Sequence, residues 1–271
     1  MQYKMVAIDM DGTLLTPELK ISRETIQTVR KVIDRGVIVT LSTGRMYPAA
    51  LPFALELQLD VPLITCNGAL IKCSRTGREY HKKALSKKHC MEILEYCISS
   101  DLNLSLYKDD EIYTSGSYNL HIHEEIDKSE PRVIDDLRSA VDDSIIKVMI
   151  SSKNKSALEY HSETIYKTYK DKLNIYSSLP WFIEVVHKEA NKRHALEYLS
   201  RHFGIKKEEV IAIGDNFNDM DMMQYAGLGV AMGNAPDYLK EAADYVTLSN
   251  DEDGVRHVLE RFILDAVPLQ D

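Results

Sequence analysis

At 271 residues, with 44% hydrophobic and 28% charged residues, the chain has the make-up of a soluble globular protein and the length for one large domain plus a second, or for one long α/β domain. Its formal net charge of −9 argues against nonspecific binding to nucleic acid or to an anionic membrane, so an anionic ligand would need local cations or a metal ion. A strand pattern begins at once and no stretch has signal-peptide or membrane-span character. The four cysteines form no Cys-x-x-Cys pair, which leaves the expectation of a cytoplasmic protein with reduced thiols. A monomer or small homo-oligomer is expected.

The first element is the apolar run Met5-Val6-Ala7-Ile8, which gives way abruptly to Asp9-Met10-Asp11-Gly12-Thr13. It reads as a buried parallel strand ending in a polar turn, the end at which open α/β sheets hold their ligands. On an ideal strand Asp9 and Asp11 face the same way and would repel, and a metal cation is the simplest remedy. Gly12 lets the chain turn sharply over the site.

Ile21 to Arg35 has helical spacing, with Ser22 as N-cap and Gly36 as stop signal, and Val37 to Leu41 follows as a strand, completing a β-α-β unit. That strand ends in Ser42-Thr43-Gly44-Arg45, where a hydroxyl, a permissive glycine and a guanidinium suit a phosphate group as well as they suit an ordinary helix start. A helix over Tyr47 to Gln58, a strand over Pro62 to Thr65, the turn Cys66-Asn67-Gly68-Ala69 and a hairpin from Ala69 to Lys82 come next.

From about Ala84 the texture changes. Helical patterns (Lys87 to Ser100, Lys155 to Tyr169) mix with short strands (Leu102 to Tyr107, Glu111 to Thr114, Ile145 to Ser151), and none of these strands ends in clustered acids. The organisation expected is an α/β parallel-sheet core over residues 1–83, an inserted α+β domain over 84–187, and the core again over 188–271. Within the insertion, His121-x-His123 followed by Glu124 and Glu125 lacks a third ligand at metal-site spacing and reads as a solvated helix start. Trp181 to Val186 returns the chain to the core.

Asn191 is a helix cap and Lys192 a first-turn cation, unfavourable with the macrodipole unless something anionic lies nearby. The strand Val210 to Ile213 then runs into Gly214-Asp215-Asn216-Phe217-Asn218-Asp219, a second apolar strand finishing in paired acids. Brought together, the two strand ends would gather Asp9, Asp11, Asp215 and Asp219 around one point. The alternation continues with a strand over Gly227 to Ala231, the turn Met232-Gly233-Asn234-Ala235, a helix over Asp237 to Ala243, a strand over Tyr245 to Leu248 and a closing helix over Gly254 to Leu264.

Asp9-Met10-Asp11-Gly12-Thr13, Thr43-Gly44-Arg45, Lys192 and Gly214 to Asp219 resemble, in order, the four motifs of the haloacid dehalogenase superfamily. With the turns at Asn67 and Asn234, the chain is similar to the Cof-type, YidA-like sugar-phosphatase branch with a C2-type cap; Arg193 stands where that branch commonly has glycine. The resemblance implies a Rossmann-like core with the insertion as a cap, and a phosphatase acting with magnesium (Mg2+) on small phosphorylated metabolites, sugar phosphates first. It implies that Asp9 is the nucleophile and Asp11 the general acid and base. Thr43 and Lys192, with the backbone N–H groups of Met10 and Gly44 and the Asn218 side chain, would hold phosphate. The Asp9 carboxylate, the Asp11 carbonyl and Asp215 would bind the metal ion, with Arg45 and Asp219 in support. The cap would read the leaving group, with Tyr107, Tyr113 and His187 among the candidates.

The residues add a physical case. A carboxylate attacking a phosphate dianion faces repulsion of about 4 kcal/mol per pair of unit charges at ~4 Å in an effective dielectric of ~20, and a divalent cation with a lysine reverses that sign. Two other readings compete: a phosphomutase on the same core, and a non-catalytic phosphometabolite sensor. The sensor is disfavoured because Asp9, Asp11, Lys192 and Asp215 are all present.

Overall fold

The computed structural model describes residues 3–116, 120, 123–124, 129–176 and 182–265. The chain divides into two compact units, one of Met1–Gly44, Ala50–Tyr80 and Asn191–Asp271, the other of Arg45–Ala49 and His81–Ala190. In chain order the strands are β1 (Met5–Ile8), β2 (Ile38–Leu41), β3 (Pro62–Thr65), β4 (Leu70–Cys73) and β5 (Glu79–Lys82). Then come β6 (Asn103–Lys108), β7 (Glu111–Thr114), β8 (Arg132–Val133), β9 (Lys147–Ser151), β10 (Leu173–Tyr176) and β11 (Phe182–His187). The last three are β12 (Val210–Gly214), β13 (Leu228–Ala231) and β14 (Tyr245–Val246).

The first unit is built on a five-stranded sheet of order β14-β13-β12-β1-β2, parallel throughout. Its central strands are buried along their whole length, which is why Met5–Ile8 and Val210–Gly214 read as unbroken small and apolar runs. The helix Arg23–Asp34 covers one flank. Ser22 caps it, its hydroxyl accepting from the Thr25 N–H at 3.0 Å, and Gly36 leaves it with φ of +80°. Its buried stripe is Thr25, Thr28, Val29 and Val32, while Ile26 and Ile33 are only half-buried. The helix Lys192–His202 lays Ala195, Leu196 and Leu199 against Met5, Ala7, Val210 and Ala212.

In the second unit a six-stranded sheet runs β10-β11-β9-β6-β7-β8, antiparallel except for the pair β7 and β8. Alternate residues of its strands point to opposite faces. Leu104, Leu106, Val148, Ile150, Ile183 and Val185 meet the buried sides of the helices Lys87–Ser99 and Lys155–Tyr169 in one apolar cluster. The other face carries Ser105, Tyr107, Lys147, Met149 and Glu184, all buried. Lys147 Nζ donates to Glu184 Oε1 at 2.9 Å and lies 4.2 Å from the Tyr107 ring centre.

His123 belongs to that polar layer and is not solvated. Its side chain is fully buried, with Nε2 2.9 Å from the Ser105 hydroxyl and Nδ1 3.2 Å from the Tyr107 hydroxyl. A histidine whose two ring nitrogens are both bonded meets the requirement of a buried polar group. His121, Glu125 and Trp181 lie outside the described residues. All four cysteines are buried. Burial pushes the thiols of Cys90 and Cys97 up to about 12, with the carboxylates of Asp143 and Asp142 adding to the effect at Cys90. Among the described residues no helix is long and apolar enough to cross a membrane.

Candidate active site

β1 and β12 are parallel neighbours with Ile8 beside Ile213, and the Asp9 N–H donates to the Ile213 carbonyl at 3.0 Å. The acids that follow the two strands therefore leave the sheet side by side. Gly214 is required here because a Cβ would collide with the Asp219 side chain. With no Cβ in the way, Asp219 folds back and its Oδ2 accepts the N–H groups of Asp215 at 3.1 Å and Asn216 at 3.0 Å. Asp9, Asp215 and Asp219 each present a carboxylate oxygen, all within 4.8 Å of one another.

The turn after β1 closes over this group. Gly12 has φ of +79° and no room for a Cβ beside the Asp215 carboxylate, and Thr13 Oγ1 donates to Asp215 Oδ1 at 2.7 Å. The Gly12 carbonyl accepts from Asn234 Nδ2 at 2.8 Å, the Leu15 carbonyl from Asn250 Nδ2 at 2.7 Å, and the Asn250 N–H donates to Asn234 Oδ1 at 3.1 Å. Residues 12–15 are thus held from two sides, by Asp215 and by a pair of asparagines more than two hundred positions away in sequence.

Lys192 enters from the helix capped by Asn191, whose Oδ1 accepts the His194 N–H at 2.8 Å. Its fully buried ammonium donates to Asp9 Oδ1 at 2.6 Å and to Asp219 Oδ1 at 2.5 Å. Those carboxylates outweigh the cost of burial and hold its pKa above the ordinary lysine value, so the misplaced first-turn cation finds its anions.

One ammonium does not balance three carboxylates. Burial raises the Asp9 carboxyl well above the usual range, as do Asp219 and Asp215, against the pull of Lys192. Burial and Asp219 lift Asp215 to about 6, with Thr13 and Lys192 opposing. Surplus buried negative charge carried by oxygen donors alone fits a hard divalent cation, and magnesium in particular suits a few carboxylates with retained waters.

The sequence expects Asp11 beside Asp9 on one strand face. The strand ends at Ile8, however, so the alternation no longer applies, and Asp11 is exposed on the turn while the carboxylate group consists of Asp9, Asp215 and Asp219. Met10 is buried, its carbonyl accepting the N–H groups of Thr13 at 3.3 Å and Leu15 at 2.9 Å. Thr43 is buried at the end of β2, its N–H on the Ile64 carbonyl at 2.9 Å, and Gly44 packs against Asn67. Asn218 Nδ2 donates to Asn67 Oδ1 at 2.9 Å. Arg45 is buried and belongs to the second unit. There too lie Tyr107, fully buried, and Tyr113, whose hydroxyl donates to Glu111 at 2.7 Å.

The family of haloacid dehalogenase-like hydrolases matches residues 6–259. This chain is a haloacid dehalogenase-like hydrolase. The 5-amino-6-(5-phospho-D-ribitylamino)uracil phosphatase YcsE of Bacillus subtilis is 35% identical to this hydrolase over 263 residues, covering 96% of each chain. A haloacid dehalogenase-like hydrolase from Bacteroides thetaiotaomicron superposes with a TM-score of 0.89 at 30% identity, over 97% of this chain and 100% of that one. A subclass IIB sugar phosphatase of the superfamily superposes with a TM-score of 0.83 at 26% identity, over 96% of this chain and 98% of that one. Cof-type phosphatases are thus its relatives, and the parallel sheet with a separate sheet-bearing region is the fold they share.

Thr13, Asn67 and Asn234 are among the side chains of the candidate site whose partners the sequence does not show. Thr13 lies inside a recognised motif, but only the fold supplies its partner Asp215. Asn67 and Asn234 sit in turns whose glycine neighbours mark them as special without revealing what the amides hold.

Proposed function

We propose that this hydrolase is a magnesium-dependent phosphatase of small phosphorylated metabolites, sugar phosphates first among them, working through an aspartyl-phosphate on Asp9. The observation that carries the reading is the convergence of Asp9, Asp215, Asp219 and Lys192, drawn from two strand ends and a helix start, into one buried, over-negative group. The names of the relatives, phosphatases of a phosphorylated ribityl compound and of sugars, support the substrate class.

In this reading Asp9 attacks phosphorus, forming the Asp9 oxygen–phosphorus bond as the ester oxygen–phosphorus bond breaks, and Asp11 gives the departing alkoxide its proton. Water then attacks the acyl-phosphate, Asp11 takes its proton, and Asp9 and inorganic phosphate are released. Lys192 neutralises charge beside Asp9 throughout, and Thr43, the N–H groups of Met10 and Gly44, and Asn218 bind phosphate oxygens. The Asp9 carboxylate, the Asp11 carbonyl and Asp215 would hold magnesium, whose charge offsets the repulsion between nucleophile and phosphate. Having given up its proton in the first half, Asp11 is the carboxylate that takes the proton of water in the second.

Release of phosphate from a panel of phosphorylated metabolites is the direct test. We expect turnover that needs magnesium, and a lesion of at least ~10³-fold in Asp9→Asn with the fold intact. Borohydride reduction of enzyme quenched during turnover should convert Asp9 to homoserine. Full activity in Asp9→Asn, or undiminished turnover in excess chelator, would end the proposal; isomer interconversion without phosphate release would mark a mutase.

A further inference from the structure

The turn Cys66–Gly68 joins β3 to β4, and three successive residues in it have positive φ: Cys66 at 49°, Asn67 at 53° and Gly68 at 90°. Left-handed backbone is strained for residues with a Cβ, and it persists where the surroundings over-determine it. Here Cys66 is fully buried and Asn67 is 1% exposed.

The surroundings are the pieces assigned above to phosphate. The Asn67 N–H donates to the Thr43 carbonyl at 3.0 Å, and Asn67 Oδ1 accepts from Asn218 Nδ2 at 2.9 Å. The same amide lies so close to Gly44 that a Cβ there would stand 3.1 Å from Oδ1. A Cβ at Gly68 would collide with the carbonyl of Asn191, the cap of the helix that carries Lys192. One strained turn therefore braces the Thr43–Gly44 segment, the Asn218 side chain and the start of the lysine helix.

We propose that Asn67 is a positioning residue for phosphate binding, acting through Asn218, which it aims with its carbonyl oxygen while the turn spaces Gly44 and Asn191. The proposal rests on the phosphatase reading. Asn218 can donate through two hydrogens; with one held by Asn67, the amide has a fixed orientation and its other hydrogen is presented to a ligand.

The test uses the full chain with magnesium and inorganic phosphate as probe, measured by calorimetry, beside p-nitrophenyl phosphate kinetics. Asn67→Gly keeps the left-handed backbone accessible and removes only the amide. It should weaken phosphate binding about tenfold, the equivalent of one well-made hydrogen bond, and raise KM more than it lowers kcat. Asn218→Ala should do the same, and the double variant should be no weaker than Asn218→Ala alone, because both changes remove one unit. In ¹⁵N spectra the Asn218 side-chain amide should shift in Asn67→Gly, a readout independent of turnover. Multiplying penalties in the double variant, wild-type affinity in Asn67→Gly, or an unmoved Asn218 amide would overturn the proposal and leave the phosphatase reading standing. A wild-type protein that neither binds phosphate nor turns over ester would overturn both.

Discussion

A lysine in the first turn of a helix opposes the helix dipole, and Lys192 is tolerated because Asp9 and Asp219 face it at 2.6 and 2.5 Å. Removing it strands buried carboxylates that already repel. Lys192→Met should therefore cost stability as well as activity, about 3 kcal/mol in urea unfolding, because a buried charge cluster loses its only cation among these side chains. An unchanged unfolding midpoint would mean that the ammonium contributes nothing to the cluster. Gly12 makes the same argument sterically. Its φ of +79° and the Asp215 carboxylate against its missing Cβ predict that Gly12→Ala displaces Asp215 and cuts magnesium-supported activity sharply, while the same substitution at Gly36, which has positive φ but open space, leaves activity intact. These roles were only half legible in the letters. Two strands ending in acids announce a site, whereas the asparagine clamp on Gly12 and Leu15 spans more than two hundred residues and has no local signature.

At the scale of elements, unbroken apolar runs made the central parallel strands plain, and the reading failed where burial is partial or a pattern stops. Leu173–Tyr176 is half-exposed along most of its length, and Arg132–Val133 is two exposed residues, so neither shows a strand period. Strand alternation puts Asp11 beside Asp9 only if it continues past Ile8, where the strand ends. The polar face of the second unit's sheet was invisible for a different reason: it is buried, and buried polar residues look like surface until their partners are known. Lys147 and Glu184 are the case in point. Lys147→Met should destabilise this unit by about 3 kcal/mol, and adding Glu184→Leu should restore much of that, since an uncompensated charge costs more than a missing pair. Equal destabilisation in the single and double variants would refute it. On the same unit's surface, the Lys108 ammonium and the Ser144 hydroxyl and N–H hold the Asp142 carboxyl down to about 2. A depressed native pKa stabilises above the unfolded value and is lost as pH falls through the native one. Asp142→Asn should thus lower stability at pH 7 by no more than about 1 kcal/mol, because the pair is solvent-screened, and the deficit should shrink steadily below about pH 4. A deficit that does not change with pH would assign the effect to packing instead.

The molecule as a whole carries a net charge of −9, and among the described residues three carboxylates, Asp9, Asp215 and Asp219, lie within 4.8 Å of one another. In the proposed reading a magnesium ion would be a structural matter and not only a chemical one. Without it, Asp9, Asp215 and Asp219 share one ammonium, and burial first, then the neighbouring carboxylates, raises the pKa values of Asp9 and Asp215. An ion that binds the folded state alone stabilises it by RT ln(1 + [L]/Kd), about 2.7 kcal/mol at a hundredfold excess over Kd. For a chain of this size that is a rise of roughly 5–10 °C in the melting of the first unit. We therefore expect magnesium to raise the wild-type melting temperature by that order in the absence of any substrate. Asp215→Asn should invert the pattern, because it removes one of the repelling charges together with a proposed metal ligand: in chelator it should melt at or above the wild-type temperature, and magnesium should not raise it further. A rise with magnesium as large in Asp215→Asn as in the wild type would show that the ion binds elsewhere, and the three carboxylates would then need another explanation for being held so close.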